Sequence, residues 1–119
     1  MQKLLLYTAY GWLLLASALH FCIDVVSSYW RGKRAPSVET TLYYGLHSAY
    51  TLGQILFAIV ALLLIQRGVP FFREPQGWLL GFVATAAWLA ICGAFIEYRQ
   101  PRIVVGIFAV LLAGAALTR

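Results

Sequence analysis

Charged residues are scarce in this chain, at 11% of its 119 residues, whereas about a quarter of the residues of a typical soluble domain are charged. Hydrophobic residues make up 62%. Small domains bury the smallest fraction of their surface, so a soluble fold of this length could not hide so many apolar side chains. The composition therefore excludes an ordinary soluble protein and predicts a chain that is embedded in a lipid bilayer.

The sequence also lacks the short motifs that would fix a reaction. It contains no nucleophile elbow, no repeated histidine box and no aspartate-rich motif for prenyl diphosphates. Its two cysteines, Cys22 and Cys92, lie in apolar runs and form no Cys-x-x-Cys pair, which argues against a thiol–disulfide relay. The net charge is +5, but no basic cluster is interleaved with stacking aromatic residues. No nucleic-acid partner is predicted.

Four hydrophobic runs are present, Leu4–Val26, Leu42–Ile65, Trp78–Ile96 and Ile103–Leu117. A membrane-spanning helix needs about 20 residues, and the short fourth run can span if the bilayer thins. Breaks that combine proline or glycine with charge separate the runs. The sequence predicts an all-α protein, an integral membrane four-helix bundle. Its single transmembrane domain is predicted to cover residues 1–119, with helices at about 4–27, 41–66, 77–98 and 102–118. The predicted location is the cell membrane, as a multi-pass protein whose first partner is the lipid bilayer.

Four spans place both termini and the second loop on one side of the membrane, here side A, and the other two loops on side B. Side A carries Lys3, Arg67, Arg73 and Arg119, and side B carries Arg31, Lys33, Arg34, Arg99 and Arg102. This balance favours a cytoplasmic side B only slightly. Aromatic residues gather at the ends of the runs, as in an interfacial belt: Tyr29, Trp30, Tyr43, Tyr44, Phe71, Phe72, Trp78 and Tyr98.

Small residues recur every four positions on the second predicted helix, at Gly45, Ala49 and Gly53. Such spacing lets helix backbones approach closely within a bilayer. We therefore expect this stripe to pack against another helix of the bundle. Gly81 and Thr85 predict a similar contact on the third helix.

Polar and titratable residues lie within the predicted helices. These are His20 and Asp24 on the first helix, His47 and Gln54 on the second, and Glu97 at the end of the third. Such residues are costly in hydrocarbon and usually face the bundle interior. Both histidines lie about 8–9 Å from side B, at about 1.5 Å per residue. Asp24 is one helical turn from His20, close enough to orient its imidazole. We expect one polar ligand- or proton-binding pocket on side B, formed by these residues.

Other interpretations of these residues remain. Asp24 and Glu97 stand near helix ends, where they could reach lipid head groups or neighbouring arginines. The histidines could be neutral and satisfied by backbone or hydroxyl partners. Gln54 could be an interhelical hydrogen-bonding residue with no part in a site.

The leading functional prediction is the binding or transport of a small or lipid-like ligand, with proton coupling as one form of it. The small size and near-balanced loop charge resemble the architecture of the small multidrug transporters. That family is characterised by a glutamate near the middle of the first helix, whereas this chain has His20 and Asp24 near the end. Membership of that family therefore does not follow.

Three alternatives stay open. One is an accessory or structural subunit of a membrane complex. Another is a membrane enzyme that uses histidine–carboxylate acid–base chemistry on a lipid or isoprenoid. The third is metal or haem binding through His20 and His47, with Asp24 or Glu97 completing the ligand shell. The sequence assigns no catalytic residue, metal ligand or cofactor, and it leaves a homo-oligomer as an option.

Overall fold

The computed structural model describes residues 1–118, which form helices and connections with no β-strand. This confirms the all-α prediction for that part of the chain. The four long helices are α1 (Gln2–Trp30), α2 (Val38–Gln66), α3 (Pro75–Phe95) and α4 (Gln100–Leu117). Each is long and apolar enough to cross a membrane. Arg119, which the sequence places on side A, lies outside the described residues.

The helix ends follow local capping chemistry. The helix α2 begins three residues before the predicted position 41, because Ser37 caps it by accepting a hydrogen bond of 3.1 Å from the Thr40 amide. The helix α3 begins at Pro75, and proline is well suited to a first helical position because its missing N–H would have no partner there. It ends at Phe95, three residues before the predicted position 98, because Ile96 adopts an extended backbone. A short 3-10 turn, Pro70–Arg73, connects α2 to α3.

One segment of α1, Phe21–Ser27, is π-helical. It lies between the α-helical parts Gln2–His20 and Ser28–Trp30. π-helical turns are rare and often occur at functional sites. The segment starts directly after His20 and contains Asp24, so the change in helical winding coincides with two of the predicted site residues.

The helices alternate in direction, and α1 lies between α2 and α4 while α3 packs against α4. The main hydrophobic core fills the end of the molecule where α1 begins and α4 ends. Its largest buried members include Leu6, Tyr10, Phe108 and Leu112. We call this the core end. The opposite end, which contains the α1–α2 loop and the α3–α4 connection, is called the polar end.

The small-residue stripe on α2 does not face the interior. Gly45, Ala49 and Gly53 are exposed, and a Cβ built at either glycine would have no atom within 4 Å. The predicted packing of this stripe against another helix is therefore wrong. The opposite face of α2 is polar and would be more costly to expose to lipid, so it takes the interior position. On α3, Gly81 is buried, and a Cβ there would lie 2.9 Å from Cδ2 of Leu112, so the expected close contact exists at that position.

Candidate functional site

Four polar side chains meet at the polar end: His20, Asp24, His47 and Tyr98. Nε2 of His20 lies 3.1 Å from Nδ1 of His47 and 3.3 Å from Oδ2 of Asp24. The Tyr98 hydroxyl lies 3.3 Å from Nε2 of His20 and 3.2 Å from Nδ1 of His47. We call these four residues the histidine centre.

Three different elements supply the histidine centre. His20 and Asp24 come from α1, and His47 lies on the face of α2 that is turned towards α1. Tyr98 comes from the connection between α3 and α4. The extended backbone of Ile96 directs this connection towards the two histidines. Arg102 stabilises the turn, because its guanidinium donates to the Ile96 carbonyl at 3.1 Å and to the last turn of α3.

The histidine centre is largely withdrawn from solvent. His47 is 3% exposed, while the side chains of His20 and Asp24 are 10% and 32% exposed. Burial raises the pKa of the Tyr98 hydroxyl above its ordinary value, and the charge of Asp24 raises it further. Tyr98 therefore keeps its proton at neutral pH and can donate a hydrogen bond to Nδ1 of His47.

Aromatic rings surround His47. The Tyr43 ring lies 4.2 Å from the imidazole, measured between ring centroids, and the Tyr98 ring is parallel to it at 5.8 Å. The guanidinium of Arg34 lies 3.5 Å from the centroid of the Tyr43 ring. This distance is well within the range of a cation–π contact. A fixed positive charge therefore lies one ring away from His47.

Two cavities are lined by a histidine of the histidine centre. The α2 cavity has a volume of about 610 Å³ and is lined by His47 and Tyr98 together with apolar side chains such as Leu46. The α4 cavity has a volume of about 510 Å³ and is lined by His20, Asp24 and Tyr98 together with apolar residues of α1 and α4. Tyr98 lines both cavities and so forms part of the boundary between them.

The other two predicted site residues lie apart from the histidine centre. Glu97 is exposed and lies in the connection that follows α3. It lines the α2 cavity together with His47. Gln54 is buried about two helical turns from His47 along α2, and its Oε1 accepts a hydrogen bond of 2.7 Å from Ser17. Gln54 therefore links α1 to α2 and is not a member of the histidine centre.

Three residues near His47 were not among the predicted site residues. Tyr98 and Tyr43 resemble ordinary members of an aromatic belt, and Arg34 resembles an ordinary loop cation. The sequence offers one weak signal for Tyr98, which is its position immediately after Glu97 and before the break at Pro101. Its role depends on the backbone at Ile96, which periodicity does not predict.

Within residues 1–118, no three side chains taken from histidine, cysteine, aspartate and glutamate alone form a group that could hold a metal ion. The third close neighbour of the two imidazoles is a tyrosine hydroxyl. Comparisons with protein families, curated proteins and solved structures give no match. The geometry of the histidine centre and its cavities therefore carries the functional interpretation.

Proposed function

We propose that this chain is a multi-pass protein of the cell membrane that binds a small or lipid-like ligand beside the histidine centre. Its four helices are long and apolar enough to span a bilayer. The long axis of the molecule is 50 Å, which compares with about 40–45 Å for a bilayer with its head groups. Large apolar side chains such as Leu56 and Val110 are exposed on the outer faces of the helices, where lipid would cover them.

The two cavities are the observation that carries this proposal. Ligand-binding cavities usually measure about 300–1,000 Å³ and combine apolar walls with a few polar groups. Both cavities have volumes in this range, at about 610 and 510 Å³. Both also reach the histidine centre through Tyr98, so a ligand in either cavity would contact the same polar group.

The α2 cavity suits a ligand with a polar head and an apolar tail. His47 and Tyr98 provide hydrogen-bonding groups, and Glu97 adds a charged group to the lining. Leu42 and Leu46 supply apolar surface on the same cavity. The head of the ligand would lie at the histidine centre, and its tail would lie along these leucines.

Transport would require the ligand to pass between the α2 cavity and the α4 cavity. Tyr98 is the side chain that both cavities share, so its displacement would connect the α2 cavity with the α4 cavity. In this scheme the ligand exchanges contacts with His47 on one side for contacts with His20 on the other. Tyr98 then acts as the gate between them.

The experiment is native mass spectrometry of the full chain, purified in a mild detergent and incubated with a total lipid extract of the membranes in which it was expressed. Leu46→Trp should fill the α2 cavity and reduce the fraction of chains that retain a molecule. Leu52→Trp is the matched control, because Leu52 lies on the same helix but is exposed and lines neither cavity. A parent protein that retains no molecule, or equal retention by both variants, would refute the proposal.

A second candidate is a subunit that associates with another membrane helix, either in a homo-oligomer or in a larger complex. The exposed stripe of Gly45, Ala49 and Gly53 favours it, because small residues at this spacing permit close helix contact in lipid. Cross-linking in native membranes tests this candidate. A chain that stays monomeric and makes no cross-link through α2 would rule it out.

A further inference from the structure

Three charged side chains line the α2 cavity without forming ion pairs. They are Arg34, Glu39 and Glu97. Within residues 1–118 none of the three is paired with an opposite charge, and the Arg34 guanidinium lies over the Tyr43 ring instead. All three are exposed at the polar end, so a molecule that enters the cavity from the membrane surface can reach them. An unpaired charge at the edge of hydrocarbon is costly, which favours a ligand that supplies partners for these charges.

The charges that line the α2 cavity have both signs. A wholly anionic head group would bind Arg34 but would also approach the carboxylates of Glu39 and Glu97, and a wholly cationic head group would approach Arg34. Like charges at close range repel each other. A zwitterionic head group instead offers a phosphate to Arg34, whose planar guanidinium suits phosphate oxygens, and an ammonium to the carboxylates. Charge complementarity therefore favours a zwitterion.

The α2 cavity adjoins an apolar groove between α2 and α3. This groove has a volume of about 220 Å³ and shares Leu46 with the α2 cavity. Ala49 and Gly53 line it from α2, and Trp88 and Ile91 line it from α3. From Leu46 to Gly53 it extends about 10 Å along α2 towards the core end, at about 1.5 Å per residue. We call it the α2–α3 groove.

The α2–α3 groove suits one hydrocarbon chain. Its lining side chains are apolar except for the Tyr50 hydroxyl, which is already in contact with the Cys92 sulfur at 2.7 Å. Gly53 keeps the groove open, because a Cβ at this position would have no atom within 4 Å. Part of the exposed small-residue stripe on α2 therefore provides space for a chain that starts at the α2 cavity.

We propose that the ligand of the α2 cavity is a phospholipid with a phosphoethanolamine head group. Its phosphate binds Arg34, its ammonium donates hydrogen bonds to Glu39 and Glu97, and one acyl chain lies in the α2–α3 groove. A primary ammonium has three N–H donors, whereas the trimethylammonium of a choline head group has no N–H to offer the carboxylates. This inference rests on the proposed function, because it names the class of ligand for the same cavity.

The test is native mass spectrometry of the full chain, stripped of copurified lipid. The chain is mixed with equal amounts of three phospholipids that share the same acyl chains and carry ethanolamine, choline or glycerol head groups. We expect the ethanolamine lipid to be retained about fivefold more than either of the others, a ratio between those of exposed ion pairs and of charged hydrogen bonds.

The variants give two different signatures. Arg34→Gln should lower the retention of all three lipids about fivefold, because all three carry a phosphate. The double variant Glu39→Gln/Glu97→Gln should instead remove the preference for the ethanolamine lipid over the glycerol lipid. Gly53→Leu should block the α2–α3 groove and lower the retention of all three lipids.

Each variant has a matched control that should behave as the parent does. Arg31→Gln and Glu74→Gln remove exposed charges of the same two kinds, and neither residue lines the α2 cavity or the α2–α3 groove. Gly45→Leu changes a glycine of the same exposed stripe that lies outside the groove. Circular dichroism checks that each variant keeps its helices.

Equal retention of the three lipids, an unchanged preference in the double variant, or parent-like retention in Arg34→Gln or Gly53→Leu would overturn the proposal. Retention of a different molecule that Leu46→Trp blocks would support the proposed function and overturn only the assignment of the head group. A parent protein that retains no molecule of any kind would overturn both.

Discussion

Replacing Gly77 with alanine tests the close approach between the first turn of α3 and the 3-10 turn that precedes it. An alanine Cβ at this buried position would lie 2.7 Å from Cα of Phe72 and 2.8 Å from the carbonyl carbon of Phe71, and it would overlap the Phe71 carbonyl oxygen. All three are backbone atoms, so no side-chain rotation relieves the overlap. The turn cannot move freely, because Phe72 is 3% exposed and its ring lies 5.2 Å from that of Tyr10.

The expected magnitude follows from these distances. Non-bonded carbon atoms prefer a separation of about 3.5–4.0 Å, so the backbone of the turn must shift by roughly 1 Å. Overpacking costs about 1–3 kcal/mol, and a rigid backbone neighbour places Gly77→Ala in the upper half of that range. Alanine recovers about 0.5–1 kcal/mol relative to glycine within a helix. We expect a net loss of about 1–2.5 kcal/mol in the free energy of unfolding.

The assay is unfolding in mixed micelles with increasing denaturing detergent, followed by far-ultraviolet circular dichroism. Gly53→Ala is the matched control, because it makes the same chemical change within α2 at a position with no atom within 4 Å of the new Cβ. The control should unfold at the same denaturant fraction as the parent or later. Equal stability of Gly77→Ala and the parent would refute the close approach.

Two further predictions use the same unfolding assay. Ser17→Ala removes the donor to the buried Gln54 Oε1 and should lower the free energy of unfolding by about 1–3 kcal/mol. The double variant Ser17→Ala/Gln54→Leu should recover most of this loss. A Ser17→Ala variant as stable as the parent would contradict the prediction. Ala49→Leu should leave the unfolding of the monomer unchanged, because the stripe faces outwards, and a clear loss of stability would show that Ala49 is packed.

The number and approximate extent of the helices could be predicted from the sequence because each helix corresponds to one apolar run. Local chemistry at Ser37 and Pro75 then accounts for small shifts of the helix starts. The early end of α3 could not be predicted, because it depends on the conformation of Ile96 and on the distant side chain of Arg102. The π-helical winding within α1 has no clear sequence signal either.

The candidate site was accessible to sequence reasoning only in part. The depth of His20 and His47 and the one-turn spacing of Asp24 indicate that these residues could approach one another, and the structure places them in one cluster. Tyr98 joins this cluster through a tertiary turn, which no periodic pattern encodes. The outward position of the Gly45 stripe shows a related limit, because spacing identifies a face that can pack closely but does not choose its partner.

The separation of the core end from the polar end has an evolutionary consequence. The largest fully buried apolar side chains, such as Tyr10, Phe108 and Leu112, lie at the end that the histidine centre does not occupy. Mutations at the polar end therefore leave the principal source of stability intact, whereas functional sites in many proteins compete with the stability of their surroundings. Such a chain can accumulate successive substitutions at the polar end, each of which still yields a folded protein on which selection can act.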